Sequence, residues 1–194
     1  MLRNWGGNKM NDFQKRKQDV LSKLDKSSKQ SWDEKILKLC EKINKSDNYY
    51  TTSSCAGRVV IMIDKLKKEP GLFLKVYHDE ISLKRLNDDL NKIGKGELIK
   101  FKQEPCILHV ACDSLEDAQS LLDKAKLAGW KRSGIIASDK RFICELNGTE
   151  KLEFLIMNKG KLLVGNEFLE LIVKRCNQNL KTSWEKIERL KELV

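Results

Sequence analysis

The chain has 194 residues, of which 40% are hydrophobic and 34% charged, and it carries a formal net charge of +10. That supplies one core, or two small halves sharing one, with a charged fraction well above the usual quarter. No apolar run is long enough to span a bilayer, and residues 1–10 lack the apolar stretch of an export signal, so a cytoplasmic protein is expected.

Residues 1–10 read as a mobile tail ahead of a single domain over 11–194. Helices are expected over 12–45. Phe13, Val20, Leu21 and Leu24 recur at helical spacing, and Ile36, Leu39, Cys40 and Ile43 form a second apolar stripe. Ser31 and Glu34 have the spacing of a capping box that would open this second helix. The sheet core is expected over 49–157. Tyr49 to Thr52 is aromatic and β-branched, Arg58 to Ile63 is a nearly continuous apolar run, and Leu72 to Tyr77 alternates. A helix from about Ser82 carries Leu83, Leu86, Leu90 and Ile93, and ends at Gly94–Glu97. Strands follow at Leu98–Lys102 and Cys106–Cys112, with Pro105 between them. Ser114 caps a helix whose stripe is Leu115, Ala118, Leu121, Leu122 and Ala125, and Gly129 stands where a C-terminal glycine belongs. Gly134–Ala137, Arg141–Leu146 and Leu152–Met157 read as strands. A helical segment over 166–194 closes the chain, and T-S-W-E at 182–185 suggests a kink or restart there.

Strand–strand–helix occurs twice, around 58–93 and 98–128, which hints at an internal duplication. Strict strand–helix alternation is missing, so the fold class is α+β with a mixed or largely antiparallel sheet and flanking helices. No G-x-G-x-x-G joins a strand to a helix, so a Rossmann methyltransferase is not indicated. Six cysteines occur, none in a C-x-x-C pair, so no metal site is expected and reduced thiols are.

Four stretches could carry chemistry. Tyr49 to Arg58 gathers hydroxyls, the thiol of Cys55, Gly57 and Arg58. Small side chains let backbone N–H groups approach an anion, and a guanidinium can grip a carboxylate or phosphate, although a polar hairpin turn would have the same composition. His109 sits in an apolar strand, where it is either a general base or a hydrogen-bonded core residue. Gly129 to Ile135 offers an aromatic, two cations and two glycines, suited to a phosphate or stacked base, or to an ordinary helix-to-strand loop. The N-terminal helices carry Lys15, Arg16, Lys17, Lys23, Lys26 and Lys29, a solvated face or a funnel for RNA. The basic balance favours polyanions.

These stretches together resemble the tRNA wybutosine-synthesising protein 3 family and its archaeal members. The resemblance runs from Phe13 through Lys17, Leu24–Ser27 and Lys29, Asp33–Glu34, TTSSCAGR at 51–58, FKQEPCILHVAC at 101–112, GWKRSGI at 129–135, the Glu145 strand and the Asn177 helix. Gln30 stands where the family often has glycine. The resemblance implies a non-Rossmann enzyme that transfers a methyl group from S-adenosylmethionine to a ring nitrogen of the tricyclic base 3′ to the anticodon of phenylalanine tRNA. Under it, Ser53, Ser54, Cys55, Gly57, Arg58, Ser133 and Gly134 would hold the donor. Lys17, Lys23, Lys29, Tyr50, Trp130, Lys131 and Arg132 would meet RNA, with Tyr49 a further stacking candidate. His109 would be the base, with Asp25 as the alternative. The competing readings are a non-catalytic basic RNA-binding protein and a thiol enzyme built on Cys55, which would need a depressed thiol pKa.

Overall fold

The computed structural model describes residues 12–23, 33–67, 69–94, 96–139 and 141–194. In chain order the elements are α1 (Asp12–Leu21), α2 (Glu34–Lys45), β1 (Tyr49–Cys55), β2 (Arg58–Ile63), β3 (Phe73–Tyr77), α3 (Leu83–Leu90), β4 (Leu98–Glu104), β5 (Ile107–Cys112), α4 (Leu115–Leu127), β6 (Gly134–Ala137), β7 (Phe142–Asn147), β8 (Leu152–Asn158), β9 (Lys161–Leu162) and α5 (Asn166–Leu193). The class is α+β, and every strand pairing is antiparallel.

Two sheets form, ordered β1-β5-β7-β6 and β3-β2-β4-β8-β9. The chain passes between them three times: β1 to β2, β4 to β5 and β7 to β8. The crossing strands keep the same lateral order in both sheets. Two of the crossings are tight. At the first, Gly57 adopts φ +103°, and a Cβ there would lie 3.2 Å from the Glu104 carbonyl oxygen. At the second, the Cys106 N–H donates to the Ser183 hydroxyl at 3.4 Å.

Each sheet covers one core. Ile36, Leu39, Cys40 and Ile43 of α2 and Leu121 and Ala125 of α4 pack on Leu108, Val110, Cys144 and Leu146 of the first sheet. Leu86 and Leu90 of α3 pack on Val59, Ile61, Ile99 and Phe101 of the second. Helix α5 bridges the two, with Leu169, Val173, Cys176 and Leu180 in the second core and Ile187 and Leu190 in the first. It runs unbroken through 182–185, where the composition suggested a restart, because its apolar stripe continues across both cores.

The two strand–strand–helix stretches are not built alike. β2 and β3 form a hairpin within one sheet, whereas β4 and β5 lie in different sheets. Asp33, not Ser31, is the N-cap of α2, and its carboxylate accepts from the Lys35 N–H; Ser31 lies outside the described residues. Ser82 and Ser114 cap α3 and α4 as expected, and Gly129 takes φ +95° after α4.

Candidate active site

The hydroxyl-rich run is a strand rather than a turn. Thr51 to Cys55 belong to β1, with a register shift between Thr51 and Ser53, and Ser53 lies opposite His109 of β5. His109 in turn faces Glu145 of β7, and Glu145 faces Gly134 of β6. One cross-strand row therefore joins Ser53, His109, Glu145 and Gly134. The Ser53 Oγ to His109 Nδ1 distance is 3.0 Å, and His109 Nε2 lies 2.9 Å from Glu145 Oε2. With Glu145 ionised, Nε2–H donates to the carboxylate and Nδ1 accepts from the Ser53 hydroxyl. The row lies on the face of the first sheet opposite its main core. Beside it α1 packs through Phe13 on Tyr50 and Ala111.

Both imidazole nitrogens of His109 are thus engaged. The residue can accept a proton only from Ser53, or after Ser53 turns away. That argues against His109 as the direct base and for a role in holding Ser53.

A second cluster stands at the β1–β2 crossing. Asp33 Oδ2 accepts from the Ala56 N–H at 3.1 Å and lies 3.3 Å from His78 Nδ1. Asp33, Cys55 and His78 present their polar atoms within 4.8 Å of one another. His78 follows β3, and the connection behind it is clamped by α5. The Asn177 amide accepts from the Ile81 N–H at 3.0 Å and donates to the Ile81 carbonyl at 2.8 Å. Arg58 donates through Nε to Glu104 at 2.5 Å, and its guanidinium lies 5.4 Å from the ring centre of Phe73, which is 53% exposed.

Several expected site residues have other work. Trp130 is fully buried, and its Nε1–H donates to the Lys186 carbonyl at 3.1 Å. Tyr50 is fully buried against Phe13, and its hydroxyl accepts from Arg141. Neither ring has a face to offer a base, so the stacking role expected of them is corrected to a core role. The Tyr49 hydroxyl donates to the Asp117 carbonyl at 3.1 Å. Lys17 is buried, with its ammonium on the Ser46 carbonyl at the end of α2, so it is a structural cation rather than an RNA contact. The Ser133 hydroxyl closes its own turn, donating to the Trp130 carbonyl and accepting from the Asn147 N–H. Lys23, Lys131 and Arg132 are exposed. Asp25 and Lys29 lie outside the described residues.

Burial pushes the Cys55 thiol up from its ordinary value, which removes the thiolate that a thiol enzyme needs. The residues missed in the sequence are Glu145, Asp33, His78 and Phe73. Asp33 and Glu145 stand inside the stretches that carry the resemblance, but nothing local marks either as a histidine partner. His78 has no signal in its neighbourhood at all.

The family model described as Methyltransferase TYW3 matches residues 15–194. The chain belongs to this family. A tRNA(Phe) 7-((3-amino-3-carboxypropyl)-4-demethylwyosine(37)-N(4))-methyltransferase from Pyrococcus furiosus is 36% identical over 190 residues, covering 94% of this chain and 95% of that protein. The human tRNA wybutosine-synthesizing protein 3 homolog is 34% identical, covering 92% of this chain and 70% of its own. Among solved structures, the PH1069 protein from Pyrococcus horikoshii superposes with a TM-score of 0.85 at 34% identity, over 93% of this chain and 92% of that one. As a TYW3 member this chain is a tRNA methyltransferase with S-adenosylmethionine as its methyl donor. No helix among the described residues is long and apolar enough to cross a membrane.

Proposed function

We propose that this enzyme methylates the wyosine-type base 3′ to the anticodon of phenylalanine tRNA, on the substrate that its Pyrococcus relative is named for, and that it works in the cytoplasm. One observation carries the site assignment. The strand row Ser53–His109–Glu145–Gly134 draws together the hydroxyl-rich block, the histidine strand and the turn after α4, three stretches far apart in the chain. A non-catalytic RNA-binding protein needs basic surface and exposed rings, and has no use for such a row.

The donor set fits S-adenosylmethionine, whose amino-acid end carries a carboxylate and an ammonium and whose ribose carries a diol. Arg58 supplies a cation, Asp33 and Glu104 supply half-buried carboxylates, and Thr52 and Ser53 expose hydroxyls along β1. Once bound, S-adenosylmethionine supplies a methyl group on a strongly electrophilic sulfonium. The protein's own contribution is then mainly alignment, and no metal ion has a part in it. Ser53, held by His109, and Arg58, held by Glu104, fix the donor's polar groups. Arg58 stacked on exposed Phe73 offers the base a flat platform in place of the buried Trp130 and Tyr50. Lys131 and Arg132, just before β6, are the cations nearest in sequence to the row and take phosphates.

Calorimetric titration of the protein with S-adenosylmethionine tests this reading, alongside methyl transfer to phenylalanine tRNA carrying the unmethylated base. Arg58→Ala is expected to weaken cofactor or RNA binding by about 1.5–3 kcal/mol, the worth of a charge-assisted contact, with unchanged circular dichroism. Unchanged affinity for both ligands would remove Arg58 from the site.

A further inference from the structure

Resting on the tRNA methyltransferase reading, we propose that the cleft between β3 and α3 is a second RNA site, which grips backbone phosphates of the substrate outside the nucleotide being methylated. The cleft is open and has a volume of about 560 Å³. Lys75 and Tyr77 of β3 line one wall, and Lys84, Arg85 and Asp89 of α3, with Lys92 just after it, line the other.

Tyr77 and Asp89 form the floor. The Tyr77 hydroxyl donates to Asp89 Oδ2 at 2.7 Å, and both residues are buried. That hydrogen bond, and then Lys75, hold the Asp89 carboxyl below its usual range, so it is ionised at neutral pH. Asp89 Oδ1 lies 3.2 Å from Lys75 Nζ and 3.9 Å from Lys92 Nζ. One buried carboxylate thus gathers two ammonium groups from different elements into the cleft. Arg85 Cζ lies 4.8 Å from the centre of the Tyr77 ring, a cation–π contact that lays the guanidinium over the floor. Lys84 and Arg85 have no ion-pair partner among the described residues. Four cations face two carboxylates, Asp88 and Asp89, which leaves two positive charges over.

A site for a small metabolite is mostly apolar. Here Val76 and the Tyr77 ring are the apolar lining, and the rest is charged or polar, as phosphate oxygens require. The position suits a polynucleotide. Tyr77 immediately precedes His78 of the cluster at the β1–β2 crossing, and β3 is an edge of the second sheet. An RNA reaching that cluster therefore has further phosphates to place along β3 and α3. Lys131 and Arg132 precede β6, at an edge of the first sheet, so the two basic groups stand on different sheets and take different stretches of backbone.

The test is filter binding of phenylalanine tRNA over a salt series, with three variants of the full chain. Lys84→Gln combined with Arg85→Gln should weaken binding roughly tenfold at moderate salt and lower the slope of log affinity against log salt by about two. Its S-adenosylmethionine affinity and its kcat at saturating tRNA should match the parent, with only the KM for tRNA raised. Asp88→Asn should act in the opposite direction and tighten tRNA binding. Lys159→Gln combined with Lys161→Gln removes the same charge from the opposite edge of the second sheet, and should leave the slope unchanged. The proposal is overturned if the first variant keeps the parental slope, if the Lys159 and Lys161 variant loses as much, if Asp88→Asn fails to tighten binding, or if the first variant loses S-adenosylmethionine affinity in place of tRNA affinity. These readouts need binding alone. A parent protein that fails to methylate phenylalanine tRNA would sink the functional reading in the methyl-transfer assay, separately from the slopes.

Discussion

A tryptophan between a glycine and two cations can face solvent as a stacking surface, or turn inward and leave the cations outside. Trp130 takes the second course, because α4 ends at Ala128 and the tight turn at Gly129 directs the indole under α5. There the Lys186 carbonyl accepts its N–H. Lys131 and Arg132 remain exposed. The two kinds of side chain in this turn should therefore respond differently to substitution. Trp130→Ala is expected to lower the unfolding free energy by about 3–5 kcal/mol, through lost burial and the cavity left behind, measured by urea denaturation. Lys131→Ala should leave stability within about 0.5 kcal/mol and act on tRNA affinity alone. A stable Trp130→Ala variant with weakened tRNA binding would restore the indole to the RNA surface. The same division holds at Tyr50, whose ring closes the small core under α1.

At the level of elements, the β1–β2 crossing is the feature on which both clusters depend. It takes β1 out of the first sheet and starts β2 in the second within two residues, Ala56 and Gly57. A side chain there is strained and crowded. A Cβ on Gly57 would press on the Glu104 carbonyl at 3.2 Å and on Leu180 Cδ2 at 3.3 Å, in a left-handed backbone conformation. Gly57→Ala should cost about 1–3 kcal/mol of stability. It should also weaken S-adenosylmethionine binding more than that loss alone explains, because Ser53, Cys55 and Arg58 shift together. A variant that unfolds and binds like the parent would show that the crossing tolerates a side chain.

The crossings also mark where the sequence stops being legible. Apolar alternation announces β4 and β5 on either side of Pro105, but says nothing of their lying in different sheets, since each strand satisfies its own pattern locally. The apparent repeat of strand–strand–helix arose in this way. The strand reading stopped at Thr52 because the small hydroxyl residues that follow are also common in turns, whereas pairing with β5 carries the strand on to Cys55. The helices were readable from stripes and caps, because those signals lie within a few residues of one another. The partners of the site were not. Asp33 and His78 are separated by 45 positions, and His109 and Glu145 by 36.

Across the whole molecule, a net charge of +10 overstates the cations available to RNA. On the outer face of the second sheet, Lys100 bridges Asp64 and Glu153, Lys151 pairs with Glu153, and Lys102 shares Glu104 with Arg58. Lys151 and Lys100 hold the Glu153 carboxyl at about 2, so this network stays charged and self-compensated at neutral pH. Lys186 lies buried against Glu150. Lys23, Lys131 and Arg132, by contrast, are exposed and have no ion-pair partner among the described residues. Each phosphate that such a cation neutralises releases counterions, contributing about 0.7–0.9 to the slope of log affinity against log salt. Transfer RNA binding should therefore weaken with salt with a slope of several units. Replacing Lys131 and Arg132 together by alanine should reduce that slope by about two, while Lys100→Ala, which breaks only the sheet network, should leave it unchanged. Filter binding over a salt series reads both outcomes. Equal slopes in the parent and the double variant would place the phosphate contacts elsewhere on the chain, and a flat response in the parent would reduce its lysines to a solvated surface.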